Sequence, residues 1–557
     1  MCPANNDMKL TLNRLRLGVP GAVAGAENAV EQSFRLSVPM LAGLWGLYAI
    51  VRVLLLPADG AVMNGFSHDS GYISIVAERV RDGAGFTNPA HWLLFLNPPS
   101  LPMPFHNANP GYPALMAALS AALGVDVTYA GLLISALSSV LLGVAVFALV
   151  QRLSSDDRFA ALCSVAVVFF PPLWRTSFGV LPDALSTALC FGTMAVAVRA
   201  KTARGWAAVG ILFGLAWLGR SSSTLIVPGL LWWMLRTRTW RQFTMATLAF
   251  VLGAVLVASP WLVHTYQTWG SPLRSDAGYY LLQDYLARSF DGDLSKFWRS
   301  LTPPPSLSQI LASDAKGFAL YTISGAPAMA FLLSAGLSEW NRLAGMLLFG
   351  LLALATVYSF RRWRSPELQA GVLMIAATVA SLLIRGRSFE MRYFSIATVL
   401  LVLWMLLPLR EYFSANGETP RRKLRLAIAA GCVLYAVAFL AAQDYRVFHE
   451  ETRVSPKTAA YKDIAQQVAN EFRNEPAIIT ELPYFYTHYT KRSAISPPNV
   501  GKPELLNFMS RYSARLLLLP TEELNYYYPG SAAALAPEIQ PVKQIGAYTL
   551  LARGTAP

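Results

Sequence analysis

Residues 64–83 read NGFSHDSGYISIVAERVRDG, and they follow closely on SVPMLAGLWGLYAIVRVLLLP, residues 37–57. The earlier stretch is apolar over about 20 residues, the length that crosses a hydrocarbon core about 30 Å thick. The later stretch sets His68, Asp69, Glu78 and Asp82 where that span reaches the membrane surface. Such an order, lipid-soluble span and then an acidic amphipathic segment, belongs to a chain that lives in the bilayer and presents polar groups at its edge.

The rest of the chain repeats the first half of that pattern. Of its 557 residues, 54% are hydrophobic and 14% charged, whereas soluble domains average about 25% charged. Apolar runs predict eleven spans, at about 37–56, 127–150, 159–174, 180–198, 206–219, 222–236, 243–264, 343–360, 368–385, 392–409 and 425–443. The expected fold class is a polytopic α-helical membrane protein. The net charge of +14 does not indicate a nucleic-acid partner, because the basic residues are scattered between spans instead of gathered on one soluble face. The cysteines Cys2, Cys163, Cys190 and Cys432 suggest neither a disulfide framework nor a zinc motif. Residues 1–36 carry Lys9, Arg14, Arg16 and Arg35 without an apolar core, which argues against a cleaved signal peptide.

Arginine and lysine set the orientation. With residues 1–36 in the cytoplasm, the short inward loops are QRLSSDDR, RAKTARG, RTRTWRQ, RRWRSPE and REYFSANGETPRRKLR, all basic as the positive-inside rule requires. The outward side then holds a first loop, 57–126, a second, 265–342, and everything from 444 to 557. NPGYPALMAALSAALG and LYTISGAPAMAFLLSAGL are apolar but short or interrupted by Gly and Pro, and counting either as a crossing would put a basic loop outside. Both read as interfacial helices. After Asp444 the pattern changes: PKTAAYKDIAQQVANEF has helical apolar spacing, AIIT reads as a strand, and a helix near PELLNFMSRYS precedes RLLLLP and YTLLA. Residues 444–557 are expected to form a small extracytoplasmic α/β domain behind a transmembrane domain of 37–443.

Charge placement narrows the function. The interiors of the predicted spans hold almost no ionisable residue, Arg52 excepted, which weakens a transporter reading because ion-coupled carriers place such groups at bilayer depth. Arg175, Asp183, Arg220, Arg385, Arg387, Glu390 and Arg392 instead cluster at outward ends of spans. Any one of these arginines could simply snorkel to headgroups. As a set they fit an anion site, because guanidinium groups grip phosphate oxygens bidentately. An anion held at the outer leaflet points to a lipid phosphate. The histidines His68, His91, His106, His264, His449 and His488 all fall outward, but none pairs at i, i+3 or i, i+4, so ordinary polar roles are favoured over a metal site.

These pieces resemble the polytopic glycosyltransferases of the GT-C fold, including aminoarabinose transferases to lipid A and protein O-mannosyltransferases. HDSGYISIVAERV resembles that family's first outer loop, and NANPGYPALMAALSAALG its Pro-Tyr-rich closing segment. SFGVLPDALSTAL is similar to its acidic position at a span start, and LGRSSSTLIVPGLLWWML to its Arg before a Pro-containing span. PWLVHTYQTWGSPL is close to a Pro-Trp…Asn-Tyr…Gly-x-Pro pattern, with His264-Thr265 where Arg-Asn is common. FEMRYFSIATVLLVL resembles an Arg-Tyr pair opening a late span, and all the pieces occur in the family's order.

The resemblance implies a GT-C-like architecture of about eleven spans, a sugar donor carried on a polyprenyl phosphate, and inversion at the anomeric carbon. It implies Asp69 as the loop carboxylate at the reaction centre, with Asp183 as the runner-up. Arg175, Arg220, Arg385, Arg387 and Arg392 are the candidates for the lipid phosphate, and His68, Tyr72, His106 and Tyr112 are further candidates for substrate contact in the first loop. The expected partners are the lipid-linked donor, a glycan, lipid or protein acceptor, and the bilayer of an inner membrane. No cofactor is required, although a divalent metal is compatible: Asp69 is followed by Ser70 and Gly71, so the first loop has no Asp-x-Asp pair, and Asp291-Gly292-Asp293 reads more readily as a turn than as a metal pair. Asp69 also has a plainer reading, as the N-cap of the helix that follows it. A polysaccharide ligase or polymerase using lipid-linked glycans, and a lipid-linked sugar transporter or flippase, remain as alternatives.

Overall fold

The structure, a computed structural model, describes residues 42–43, 45–51, 53–54, 67–105, 109–177, 179–273, 277–325, 356–357, 364–385, 391–414 and 456–554. In chain order the helices begin with α1 (Ser67–Arg81), α2 (Gly111–Leu123), α3 (Val127–Ser154), α4 (Asp157–Val168) and α5 (Pro171–Thr176). They continue with α6 (Asp183–Ala197), α7 (Ala203–Gly219), α8 (Val227–Thr237), α9 (Trp240–Trp269), α10 (Ala277–Ala287), α11 (Leu294–Trp298) and α12 (Leu307–Ser324). Then come α13 (Pro366–Arg385), α14 (Ser395–Ser414), α15 (Pro456–Glu471), α16 (Pro483–Thr490) and α17 (Lys502–Arg511).

The helix boundaries follow local chemistry. The Asp126 side chain accepts from Thr128 N at 2.7 Å to start α3, and Asp156 accepts from the amides of Arg158 and Phe159 to start α4. Thr239 and Gln242 form a capping box at the head of α9, which ends at Gly270 in the left-handed conformation. Among the described residues three helices are long and apolar enough to cross a membrane: Val127–Ser154, Trp240–Trp269 and Pro366–Ile384. Much of α9 carries exposed leucines, Leu248, Leu252 and Leu256 among them, a surface that only lipid solvates well. Its other face meets α7 through Gly210, Gly214 and Gly253, where a Cβ at Gly210 or Gly253 would run into the opposite backbone. Close backbone approach through small residues is how helices associate in lipid, where burial from water cannot drive them together.

Other predicted spans come out shorter than expected. The stretch 159–174 is not one span: α4 ends at Val168 and the chain restarts at Pro171 as α5, because prolines at 171 and 172 supply no amide for a continuing helix. The stretch 222–236 divides into a 3-10 turn, Ser221–Ile226, and the 11-residue α8. The stretch 392–409 likewise opens with a 3-10 turn, Met391–Phe394. The segments predicted at 343–360 and 425–443 lie essentially outside the described residues, and 37–56 is described only in part. The 13-residue α2, at about 1.5 Å per residue, is too short to span, as its interfacial reading requires.

The C-terminal elements expected from sequence are present, and they assemble with a partner that sequence did not indicate. Strands β4 (Ala477–Thr480), β5 (Ser493–Ile495), β6 (Leu516–Pro520), β7 (Ile539–Ile545) and β8 (Tyr548–Arg553) join β2 (Ala90–His91) in a six-stranded sheet of order β2-β5-β4-β6-β8-β7. Strands β1 (Thr87–Asn88) and β3 (Met103–Pro104) pair separately in the first loop. The buried runs of β4 and β6 alternate between two cores: Ile478, Leu516 and Leu518 pack under α15 and α16, while Ile479, Leu517 and Leu519 pack under α17. Strand β2 is added parallel to β5, with Ala90 opposite Ala494 and His91 opposite Ile495. Two residues of strand carry almost no periodic signal, which is why this joint is invisible in sequence.

Candidate active site

Asp69 lies in the first turn of α1, and its carboxylate is half exposed. Arg392, in the 3-10 turn before α14, is 8% exposed and brings Nη2 to 2.6 Å from Asp69 Oδ2. A second pair lies deeper. Asp183, the first residue of α6, is 2% exposed, and Arg220 Nη1 stands 2.6 Å from its Oδ1. That contact is close but not aligned as a hydrogen bond, so attraction of opposite charges, not directional bonding, holds it.

Tyr393 connects the two pairs. The Arg220 guanidinium lies 5.1 Å from its ring centroid and that of Arg392 5.2 Å, both within cation–π reach. Two cations against one ring would repel, and the two carboxylates offset that repulsion. Asp69, Arg392, Tyr393, Arg220 and Asp183 thus form one chain of charge and π contacts drawn from four separate segments.

Local packing explains how each arm is aimed. Helix α7 stops at Gly219, Arg220 takes an extended backbone as its C-cap, and the 3-10 turn follows. Ser223 Oγ donates back to the Ala216 carbonyl at 2.9 Å and shares a 2.7 Å hydrogen bond with Ser186 of α6, which fixes the break beside Asp183. On the other side, Asn109 Nδ2 donates to the Trp217 carbonyl, and a Cβ at Gly111 would collide with the Leu218 backbone. The Pro-Tyr segment closing the first loop is therefore clamped onto the end of α7, next to Arg220.

The remaining candidates fall into several groups. Tyr72 is buried, stacked on Phe105 at 5.4 Å and edge-on to Tyr484 of α16 at 5.6 Å, so it joins α1 to the C-terminal sheet. Tyr112 is wholly buried; its hydroxyl donates to the Gly131 carbonyl at 2.8 Å and meets Ser135 at 2.7 Å, fastening α2 to α3. The side chains of His68, Arg175 and Arg385 lie outside the described ones, although α5, which carries Arg175, packs against the Met391–Phe394 turn. Arg387, Glu390 and His106 lie outside the described residues. The Asp291-Gly292-Asp293 stretch is a turn: Asp291 has φ +57°, and Asp293 caps α11, accepting from Lys296 N and from the Tyr526 hydroxyl at 2.8 Å. Tyr393 is the tyrosine of the Arg-Tyr motif, and its place between two arginines depends on a contact that sequence cannot encode locally.

Comparison with known proteins points one way. The family described as dolichyl-phosphate-mannose-protein mannosyltransferase matches residues 108–264, the stretch from the Pro-Tyr segment into the last turns of α9. No match was found among the curated proteins. Among solved structures, ArnT from Cupriavidus metallidurans bound to undecaprenyl phosphate is 14% identical, over 92% of this chain and 97% of that one, with a TM-score of 0.54. The apo oligosaccharyltransferase of Archaeoglobus fulgidus is 12% identical, over 88% and 72%, with a TM-score of 0.55. The same enzyme tethered to an acceptor peptide gives 0.56 at 12% identity, over 87% and 70%. The chain has the GT-C fold, and its resemblance to GT-C glycosyltransferases, read from the loop and span motifs, holds.

Proposed function

We propose that this protein is an inverting glycosyltransferase that moves a sugar from a polyprenyl phosphate to an acceptor hydroxyl at the outer face of the membrane. The observation that carries this reading is the Asp69–Arg392 pair, a half-exposed carboxylate 2.6 Å from a buried guanidinium. Asp69 accepts the proton of the acceptor hydroxyl as its oxygen attacks the anomeric carbon. The bond from that carbon to the phosphate oxygen breaks on the opposite face, and the lipid phosphate leaves as an anion. Arg392 and Arg220 are placed to stabilise the negative charge that develops there, with Arg175, Arg385 and Arg387 as further contributors. Undecaprenyl phosphate bound to the similarly folded ArnT supports a carrier of that class. No step draws on a metal.

The base role goes to Asp69 over Asp183 because an acceptor must reach it: Asp183 is almost wholly covered, its carboxylate beside Arg220. The orientation proposed is that of a multi-pass protein of the plasma or inner membrane, with the N-terminal segment in the cytoplasm and the first loop, second loop and C-terminal sheet outside. The test is to incubate purified protein with a polyprenyl-phosphate sugar and acceptor and measure free lipid phosphate. A transferase releases it in step with sugar transfer; a flippase returns the donor intact, and that result would sink the proposal.

A further inference from the structure

The second loop places a buried cation against the C-terminal sheet region, and the proposed transfer reaction does not use it. Arg299, directly after α11 in the second loop, is 5% exposed. Its Nε donates to the Ser295 carbonyl at 3.1 Å, but Nη1 and Nη2 find no acceptor, and no carboxylate pairs with it among the described residues. The guanidinium instead lies over the rings of Tyr526 and Tyr527, at 5.0 and 4.6 Å. Stacking satisfies the flat face of a guanidinium, while its edge N–H groups still require acceptors.

Nearby groups leave that edge unoccupied. Glu481, directly after β4, is engaged with tyrosines: its Oε1 accepts from the Tyr548 hydroxyl at 2.6 Å, and its Oε2 from the Tyr527 hydroxyl at 3.4 Å. Tyr528 is 3% exposed, and its hydroxyl also lacks a partner among the described residues. Burial pushes the Tyr528 phenol up from its ordinary range, against a smaller opposing pull from Arg299, so it stays protonated and able to donate. Tyr528 directly follows Tyr527, on whose ring Arg299 lies, so two kinds of buried donor, one of them charged, stand at the same turn of chain without an acceptor among the described residues.

Its position in the sheet agrees. The Arg299 carbonyl accepts from Asn499 N, in the loop after β5, and its stacking partners follow β6. Strands β5 and β6 lie parallel on either side of β4, with the chain passing from β4 to β5 and then to the opposite side as β6. In open α/β sheets the crevice outside the carboxyl ends of such strands, where the order reverses, is where ligands bind. We propose that Arg299 and Tyr528 form an oxyanion site at this crevice, separate from the Asp69–Arg392 pair, that takes a carboxylate or phosphate group borne by a soluble ligand. The exposed Tyr526 ring stands at its edge.

The experiment titrates detergent-solubilised full-length protein with inorganic phosphate and, separately, acetate at constant ionic strength, and counts bound equivalents by calorimetry. Wild type should bind one equivalent that Arg299→Gln lacks and Tyr528→Phe binds about tenfold more weakly, the loss expected of one hydrogen bond to a charged group. Binding of phosphate alone identifies a phosphate-bearing ligand; binding of acetate identifies a carboxylate. If neither anion binds, or if Arg299→Gln keeps the wild-type stoichiometry and affinity, the site does not exist. Should Arg299→Gln fail to fold, Tyr528→Phe decides alone: unchanged affinity for both anions overturns the proposal.

Discussion

At the scale of the residue, Asp69 and Asp183 differ in their surroundings more than in their chemistry. Both face an arginine at 2.6 Å, but the Asp183 side chain is 1% exposed and that of Asp69 48%. Removing one partner of a buried ion pair leaves an uncompensated charge, at a cost of about 3–5 kcal/mol. Arg220→Ala should therefore lower the free energy of unfolding by about that much, and Asp183→Ala added to it should restore part of the loss, which denaturant titration would read. Equal stability of single and double variants would show the pair uncoupled. Tyr393→Leu should weaken donor binding by about 2- to 30-fold, the range for a cation–π contact of 0.5–2 kcal/mol, while Tyr393→Phe retains it. The sequence exposed every one of these charges as a candidate, because an arginine at the outward end of a span needs a reason. It could not pair them: Asp69 and Arg392 stand 323 positions apart, and pairing at that range is set by tertiary packing.

At the scale of the element, the first loop and the C-terminal sheet form one body. Strand β2 joins the sheet, Tyr72 meets Tyr484, and Lys491 Nζ lies 2.7 Å from Glu78 Oε2. Lys491 is largely exposed, so its ion pair is worth no more than about 1 kcal/mol. The aromatic contact matters more: Tyr484 is 2% exposed within the core beneath α1. Tyr484→Ala should cost about 3–5 kcal/mol, as truncation of a buried ring does, and should slow transfer because α1 carries Asp69. If that variant unfolds the sheet and leaves turnover at the wild-type rate, α1 does not depend on the C-terminal elements. Elements with a strong period, such as α15, α17 and β6, were legible because each buries a face of its own. The joint made by β2 was not legible, and neither was the break between α4 and α5, where apolar residues run on but Pro171 and Pro172 end the helix.

At the scale of the whole molecule, the proposed reaction requires the paired charges, the second loop and the sheet to share the outer side. A reporter fused after Pro557 should be active only in the extracytoplasmic compartment; activity in the cytoplasm would invert the topology and place Asp69 on the wrong face. Chelation of divalent ions should leave turnover unchanged, since guanidinium groups supply the positive charge at the phosphate. The polytopic class was readable from composition, a sum over many residues; the orientation expected from the basic loops is what the reporter tests. The proposed mechanism depends above all on Asp69 as the base. Asn caps helices about as well as Asp, so Asp69→Asn keeps a cap and removes the base, and general-base catalysis contributes about 10²- to 10⁴-fold. The direct measurement is single-turnover release of free lipid phosphate from a bound polyprenyl-phosphate sugar, with donor affinity determined alongside. Asp69→Asn should bind donor within a few-fold of wild type and release phosphate at least about a hundredfold more slowly; release at the wild-type rate from a variant that binds normally would contradict the account.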